Sequence, residues 1–339
     1  MSGQVRTAVI GLGRLGYWHA ENLATKVKGA QLVKVVDPLE GRAEQVAREL
    51  GVPGWSKDPR EVFEDANIDA VVLVTPTSTH AEMITQAATH GKQIFVEKPI
   101  TQTVEEADEV IQVLNKHNVF CQVGFMRRFD PAYAEAKRRI AAGDIGKPLY
   151  FKGVSRDGNC PPAEFIKHSG GLFLDVAIHD YDIARFLMGT EVETVTATGN
   201  VLLHTFMKDY HDVDQAVTTL TFASGAAGDI ETMRIAPYGY DIRGEVIGTE
   251  GSIQIGSLRH HDVLLLTANA STHDIIPDFP TKFKDAYLLE MIHFIDAVQK
   301  GERPACTETD GKIALEIAAA ATESFQTAKT VKLDKKVSI

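Results

Sequence analysis

Residues 6–26, "RTAVIGLGRLGYWHAENLATK", join an apolar run to an amphipathic one across three glycines. The run up to Ile10 reads as a buried strand and the stretch from Gly16 as a helix. Gly11, Gly13 and Gly16 have the G-x-G-x-x-G spacing. In that context each glycine has a separate task. Gly11 permits the tight turn, Gly13 lets backbone approach a pyrophosphate, and Gly16 lets helix and strand pack closely. Arg14 and Leu15 complete the loop, and the helix N-terminus faces the phosphates. The spacing alone is common; its place between a strand and a helix gives it weight.

The surroundings repeat the pattern. "AQLVKVVD", "DAVVLVTP", "QIFVEKP" and "VFCQVGF" read as strands, separated by "GRAEQVARELG", "THAEMITQAATHG" and "TVEEADEVIQVLNKHN" as helices. Nearly continuous hydrophobicity in the strands, with helices between, predicts a parallel sheet covered on both faces. Right-handed crossovers make it a doubly wound Rossmann sheet. Asp37 ends the second strand 21 residues after Gly16. A carboxylate there accepts hydrogen bonds from an adenosine ribose and repels a 2′-phosphate, so the expected cofactor is NAD rather than NADP. Arg42 either stacks on the adenine or is a solvated helix residue.

Beyond residue 124 the periodicity changes. "DPAYAEAKRRIAAG" and "GGLFLDVAIHDYDIARFLMG" read as helices. "EVETVTATGNVL", "DQAVTTLTFASGAAGDIETMRI", "YDIRGEVIGTEGSIQIG" and "DVLLLTAN" then alternate as strands, and two helices close the chain. Consecutive strands pair antiparallel. The expectation is therefore an α/β chain: a dinucleotide-binding Rossmann domain over 1–123, and an α+β domain over 124–339 with a large open, mainly antiparallel sheet, to which the resemblance given below adds substrate binding and oligomerisation.

Composition narrows the function. The 339 residues are 44% hydrophobic with a net charge of −11 and no dense basic tract, which argues against nucleic acid as a partner. No run approaches the ~18 apolar residues of a membrane span. The first residues enter a strand at once, leaving no room for a signal peptide, and a cytoplasmic protein is expected. Cys121, Cys160 and Cys306 lie far apart with no Cys-x-x-Cys pair, so neither a disulfide framework nor a metal site is expected.

Two further constellations carry chemistry. Lys98 stands between Glu97 and Pro99 at the carboxyl end of a strand, where ligands of doubly wound sheets bind. Asp175, His179 and Asp182 fall at i, i+4 and i+7, one face of an α-helix. A histidine flanked by carboxylates is a tuned proton acceptor, and a lysine beside it stabilises an alkoxide. Together they suit oxidation of an alcohol at a nicotinamide. The alternatives are a solvated helix face and an exposed lysine.

At these residues the chain resembles the glucose–fructose oxidoreductase/inositol dehydrogenase family. The likeness runs through "VIGLGRLGYWHAENL", "TPTSTH", "VEKPIT", "GFMRRFDPAY" and "GGLFLDVAIHDYD". It extends to the bacterial inositol dehydrogenases, particularly those acting on scyllo-inositol, through "PPAEFIKHSGG" and "YGYDIRGEVIGTEGSI". The resemblance implies a catalytic set of Lys98, Asp175 and His179, and a Lys98–Pro99 bond that is often cis in the family. It implies a polyol pocket lined by Arg127, Asp157, Asn159, Asp182, Tyr238 and Tyr287, the tyrosines being alternatively core or interface residues. Thr75, Pro76, His80 and Glu97 join the cofactor set, though His80 is equally a first-turn helix residue. A homotetramer formed through the open sheet is also implied. Two alternatives stay open: a dehydrogenase of another cyclic polyol or pyranose, and a non-catalytic dinucleotide-binding regulator, a type the family contains.

Overall fold

In a computed structural model, which describes residues 3–333, the glycine loop lies at the centre of a parallel sheet. β1 (Val5–Ile10) leads through the loop to α1 (Arg14–Thr25). β2 (Ala30–Val36), α2 (Arg42–Leu50), β3 (Gly54–Ser56), α3 (Arg60–Phe63), β4 (Ala70–Leu73), α4 (His80–Thr89), β5 (Gln93–Glu97), α5 (Val104–His117) and β6 (Cys121–Gly124) follow. The six strands pair in the order β3-β2-β1-β4-β5-β6. The chain builds outward from β1 to β3, then returns to place β4 on the other side of β1. The switch point of the sheet is therefore between β1 and β4, directly at the glycine loop. The alternation predicts these elements except β3 and α3, which are too short to show a period. Local signals set the helix ends: Thr103 and Glu106 form a reciprocal capping box at the start of α5, and Asn118 closes it in the left-handed region.

The second sheet begins after α6 (Pro131–Ala141) with β7 (Pro148–Arg156). α7 (Ala163–Ile166), a π-helical turn over Phe173–Ala177 and α8 (Ile178–Met188) precede β8 (Val192–Asn200), β9 (Gln215–Phe222), β10 (Ala227–Met233), β11 (Asp241–Gly248) and β12 (Ser252–Ile255). A small ribbon of β13 (Leu265–Leu266) and β14 (Ser271–Thr272) leads to α9 (Phe279–Lys300), α10 (Glu308–Thr327) and β15 (Val331–Lys332). The seven-stranded order is β12-β11-β7-β10-β9-β8-β15. Pairing is antiparallel except between β7 and β10, which run parallel.

Two expectations are corrected here. The interior strand β7 is absent from the alternation because Lys152, Gly153 and Ser155 break its apolar pattern. Gly153 sits in a tight place: a Cβ there would lie 3.2 Å from the Ile230 side chain and 3.3 Å from the Asp180 carboxylate. Conversely, "DVLLLTAN" does not join the sheet. Only Leu265 and Leu266 pair, within the ribbon, and Val263–Leu266 are exposed. A continuous apolar run marks a buried strand only when both of its faces are covered.

The chain forms two units, one of the residues up to Phe129 with Asp285–Ile313, the other of Asp130–Lys284 with the residues from Ala314. The sequence pattern suggests a single division after 123. The segment from Asp285 joins the first unit because its apolar face completes that core: Met291, Phe294, Ile295 and Ala297 pack with Val9, Leu23, Val35, Val72 and Phe95. Phe294 is fully buried, edge-on to Phe95 and Phe120. Phe294→Ala should cost about 3–5 kcal/mol of stability, the usual range for a buried phenylalanine. Denaturant unfolding followed by fluorescence checks this, and a loss under about 1 kcal/mol would contradict the packing.

Candidate active site

In the first unit the three glycines of the loop have different surroundings. Gly11 has φ +90°, and a Cβ there would lie 2.3 Å from the Val74 carbonyl oxygen. A Cβ on Gly16 would lie 1.9 Å from the Gly11 carbonyl oxygen. At Gly13 a Cβ would meet no protein atom within 4 Å, so the space before the α1 N-terminus is open. A pyrophosphate fits such a place, where the first-turn N–H groups lack helical partners.

Asp37 follows β2 and faces this loop. One carboxylate oxygen accepts from the Leu12 N–H at 2.7 Å and the other from the Leu39 N–H at 2.9 Å. Each oxygen keeps a lone pair for a ribose hydroxyl. Arg42 is not simply solvated. Its Nε donates to the Leu12 carbonyl at 2.9 Å and its guanidinium lies 5.6 Å from the Tyr17 ring centroid. Arg14 is exposed and Leu15 half-buried at the start of α1.

His80 is buried in the first turn of α4. Its Nδ1 lies 2.9 Å from the Pro99 carbonyl and its Nε2 3.0 Å from the Thr75 carbonyl. Burial holds the imidazole below the ordinary histidine range, against the hydrogen bonds that would raise it. A neutral ring donates only one hydrogen, so one of these contacts is a bond and the other a close approach. Both nitrogens are spent on backbone. His80 therefore acts by joining the Thr75–Pro76 turn to the Lys98–Pro99 turn, which contains a cis bond. Lys98 is half-buried, while Glu97 is buried and meets His19 Nε2 at 2.8 Å. Arg127 is buried in the turn Met126–Phe129. Tyr287 is also buried, its ring edge-on to His19 at 5.9 Å, which makes it part of the unit's interior.

In the second unit a residue the sequence reading missed organises the site. Arg234, 1% exposed, donates from Nη2 to Asp175 at 2.7 Å and holds Asp157 at 3.7 Å. It thus gathers two predicted site carboxylates. The signal is in the alternation: Gly228, Ile230, Thr232 and Arg234 share one face of β10, and a charge on a buried face demands partners. Asp175 lies in the π turn, so the assumed α-helical offset to His179 is not the one present. Such turns are rare and recur at functional sites. His179 and Asp182 are buried in α8, whose residues Ile178 to Arg185 are buried on every side. A solvated face is thereby excluded.

The remaining pair of candidates separates. Asn159 is exposed in a loop whose Gly158 lies against Gly239, next to Tyr238. Tyr238 is 40% exposed, and its hydroxyl donates to Asp241 at 2.9 Å and accepts from Arg156 at 2.8 Å. Burial and Asp241 push this phenol up, opposed by Arg156. Arg156 and Asp241 pair across β7 and β11 on the sheet face opposite Ser155.

The chain was compared with known proteins. Residues 5–125 match the model of an oxidoreductase family's NAD-binding Rossmann fold, and residues 137–333 match that family's C-terminal alpha/beta domain. The chain is 61% identical over 336 residues to the scyllo-inositol 2-dehydrogenase (NAD(+)) of Bacillus subtilis, covering 99% of this chain and 98% of that protein. It is 41% identical to the myo-inositol 2-dehydrogenase of Thermotoga maritima, covering 98% and 99%. A crystal structure of scyllo-inositol dehydrogenase from Lactobacillus casei, with bound NAD(H) and scyllo-inositol, superposes with a TM-score of 0.92 at 31% identity, covering 97% of this chain and 99% of that one.

The position of Asp37 gives a test of cofactor choice. Asp37→Ser removes the carboxylate that repels a 2′-phosphate, so use of NAD should weaken and NADP improve relative to it. The ratio of kcat/KM for the two cofactors reports this, and an unchanged ratio would remove Asp37 from ribose recognition.

Proposed function

The chain belongs to the oxidoreductase family that joins an NAD-binding Rossmann fold to a C-terminal alpha/beta domain, and on that premise we propose that it is an NAD-dependent inositol dehydrogenase preferring scyllo-inositol to myo-inositol. The observation that carries this reading is the full-length likeness to an enzyme whose name specifies both scyllo-inositol and NAD(+). Oxidation of a ring CH–OH to the keto-inositol, scyllo-inosose, removes a hydride and a proton. Bound NAD supplies the hydride acceptor. His179 takes the hydroxyl proton as general base, and the Lys98 ammonium stabilises the developing alkoxide. Asp175, held by Arg234, orients the base and the substrate.

Six hydroxyls need polar partners, which suits the set Arg127, Asp157, Asn159 and Asp182. Asp157 gains most support, since Arg234 holds it together with Asp175. Tyr238 and Tyr287 gain least, the first engaged by Arg156 and Asp241, the second packed against His19. Scyllo-inositol and myo-inositol give the same ketone but present the reacting C–H and O–H differently. A fixed set of partners favours one presentation, because each buried polar group left unpaired costs about 1–3 kcal/mol.

The enzyme is proposed to work in the cytoplasm as a homotetramer. In support, no helix among the described residues is long and apolar enough to cross a membrane. One face of the seven-stranded sheet meets α8 and α10 through Asp180, Tyr181 and Ser324. The other face exposes Lys152, Thr196, Thr219, Thr221 and Ile247, a broad surface for a second copy.

Initial rates with scyllo-inositol, myo-inositol and glucose test the assignment. The expected order in kcat/KM with NAD places scyllo-inositol first, and equal or faster myo-inositol oxidation would overturn the preference. Binding of NAD without NADH production on any polyol would instead favour a regulator. His179→Ala should lower kcat by about 10²–10⁴-fold with little effect on NAD affinity. Lys98→Met should also depress kcat, and near-normal turnover in either variant would refute its role.

A further inference from the structure

Behind the Lys98 turn lies a buried group that the reaction as described does not use. Glu97, 6% exposed, ends β5 and pairs with Gly124 on β6. Its carboxylate lies over Gly124, where a Cβ would be 2.9 Å away. One oxygen meets His19 Nε2 at 2.8 Å and the other accepts from the Lys98 N–H at 3.3 Å. His19 is fully buried on α1, the helix that starts at the glycine loop. Glu290 on α9 is also fully buried, and neither of its oxygens has a hydrogen-bond partner among the described residues. Atoms of all three side chains lie within 4.8 Å of one another.

Two carboxylates this close in a dry interior do not both ionise. Glu97 has two donors for an anion and Glu290 has none, so the proton belongs on Glu290. With Glu97 as the anion, the His19 nitrogen facing it donates the hydrogen of that bond, and the pair is then a poor cradle for a cation. We propose that Glu290 is a neutral carboxylic acid in the working enzyme, and that the His19–Glu97 pair it abuts positions Lys98. Burial, with Glu97 beside it, pushes the Glu290 carboxyl well up. Among the His, Cys, Asp and Glu side chains of the described residues, Glu97 on β5 and His19 on α1 lie against Glu290, and the buried Tyr287 ring of α9 packs on His19. The arrangement ties the phosphate-facing helix to the backbone of the lysine turn. It rests on the reading of Lys98 as the alkoxide-stabilising group.

Three measurements on the full-length enzyme test this. The infrared spectrum at pH 7 should contain a protonated carboxylic acid band that Glu290→Gln removes; persistence of the whole band in that variant would overturn the assignment of the proton. Because retaining a proton above the ordinary carboxyl range costs stability, the Tm of Glu290→Gln relative to wild type should rise as pH increases from 5 to 8. A difference independent of pH, or a stoichiometric divalent metal in the purified enzyme, would also overturn it. Glu97→Gln should lower kcat at least tenfold while the Kd for NAD changes less than about threefold, as expected for a displaced lysine rather than a lost cofactor site. Glu97→Asp should recover part of that loss. If Glu97→Gln does not fold, His19→Gln carries the same kinetic expectation. Normal kcat in the variants, with Lys98→Met impaired, would refute the positioning role alone. A normal Lys98→Met would refute the reading of Lys98 itself.

Discussion

Two close backbone approaches at the head of the first sheet leave room for glycine alone: Gly11 beside the Val74 carbonyl, and Gly16 beside the Gly11 carbonyl. A Cβ added at these places would lie 2.3 Å and 1.9 Å from the backbone oxygen. These approaches bring the N-terminus of α1 to the switch point between β1 and β4. They also let the Leu12 N–H reach Asp37 and the Leu12 carbonyl reach Arg42. The same helix, continued for less than two turns, delivers His19 to Glu97. One local constraint thus places the α1 N-terminus, Asp37 and the support behind Lys98.

The second unit is organised by a buried cation instead. Arg234 is far from solvent and draws Asp157 and Asp175 to itself. Removing one member of such a group leaves an uncompensated charge, which is costly in a dry interior. A rigid set of charged partners is a sound base for binding a ring covered with hydroxyls, because poorly matched epimers leave some of those partners unpaired.

Much of this was legible in the sequence, for identifiable reasons. The first two strands, the glycine loop and Asp37 are encoded within about forty consecutive residues, where spacing is itself the geometry, and the rest of the parallel sheet repeats the same alternation. Lys98 and His179 stand out because charge interrupts an apolar pattern. The strand β7 was not legible because its place depends on pairing with β10 and β11, distant in sequence, and because the partner of its buried Ser155 is Asp180 on α8. The return of Phe294 to the first core, and the meeting of Glu290 with His19 and Glu97, join segments some 200 residues or more apart. Only the α9 fold-back brings them together. Arg234 was overlooked although the alternation of β10 places it inward.

The central claim is that the enzyme moves a hydride from a ring carbon of the inositol to NAD. Scyllo-inositol deuterated at its ring carbons tests it directly. The account predicts a primary isotope effect on kcat/KM when chemistry limits, with deuterium recovered on the reduced nicotinamide. Deuterium released to solvent, with none in the NADH formed, would contradict it.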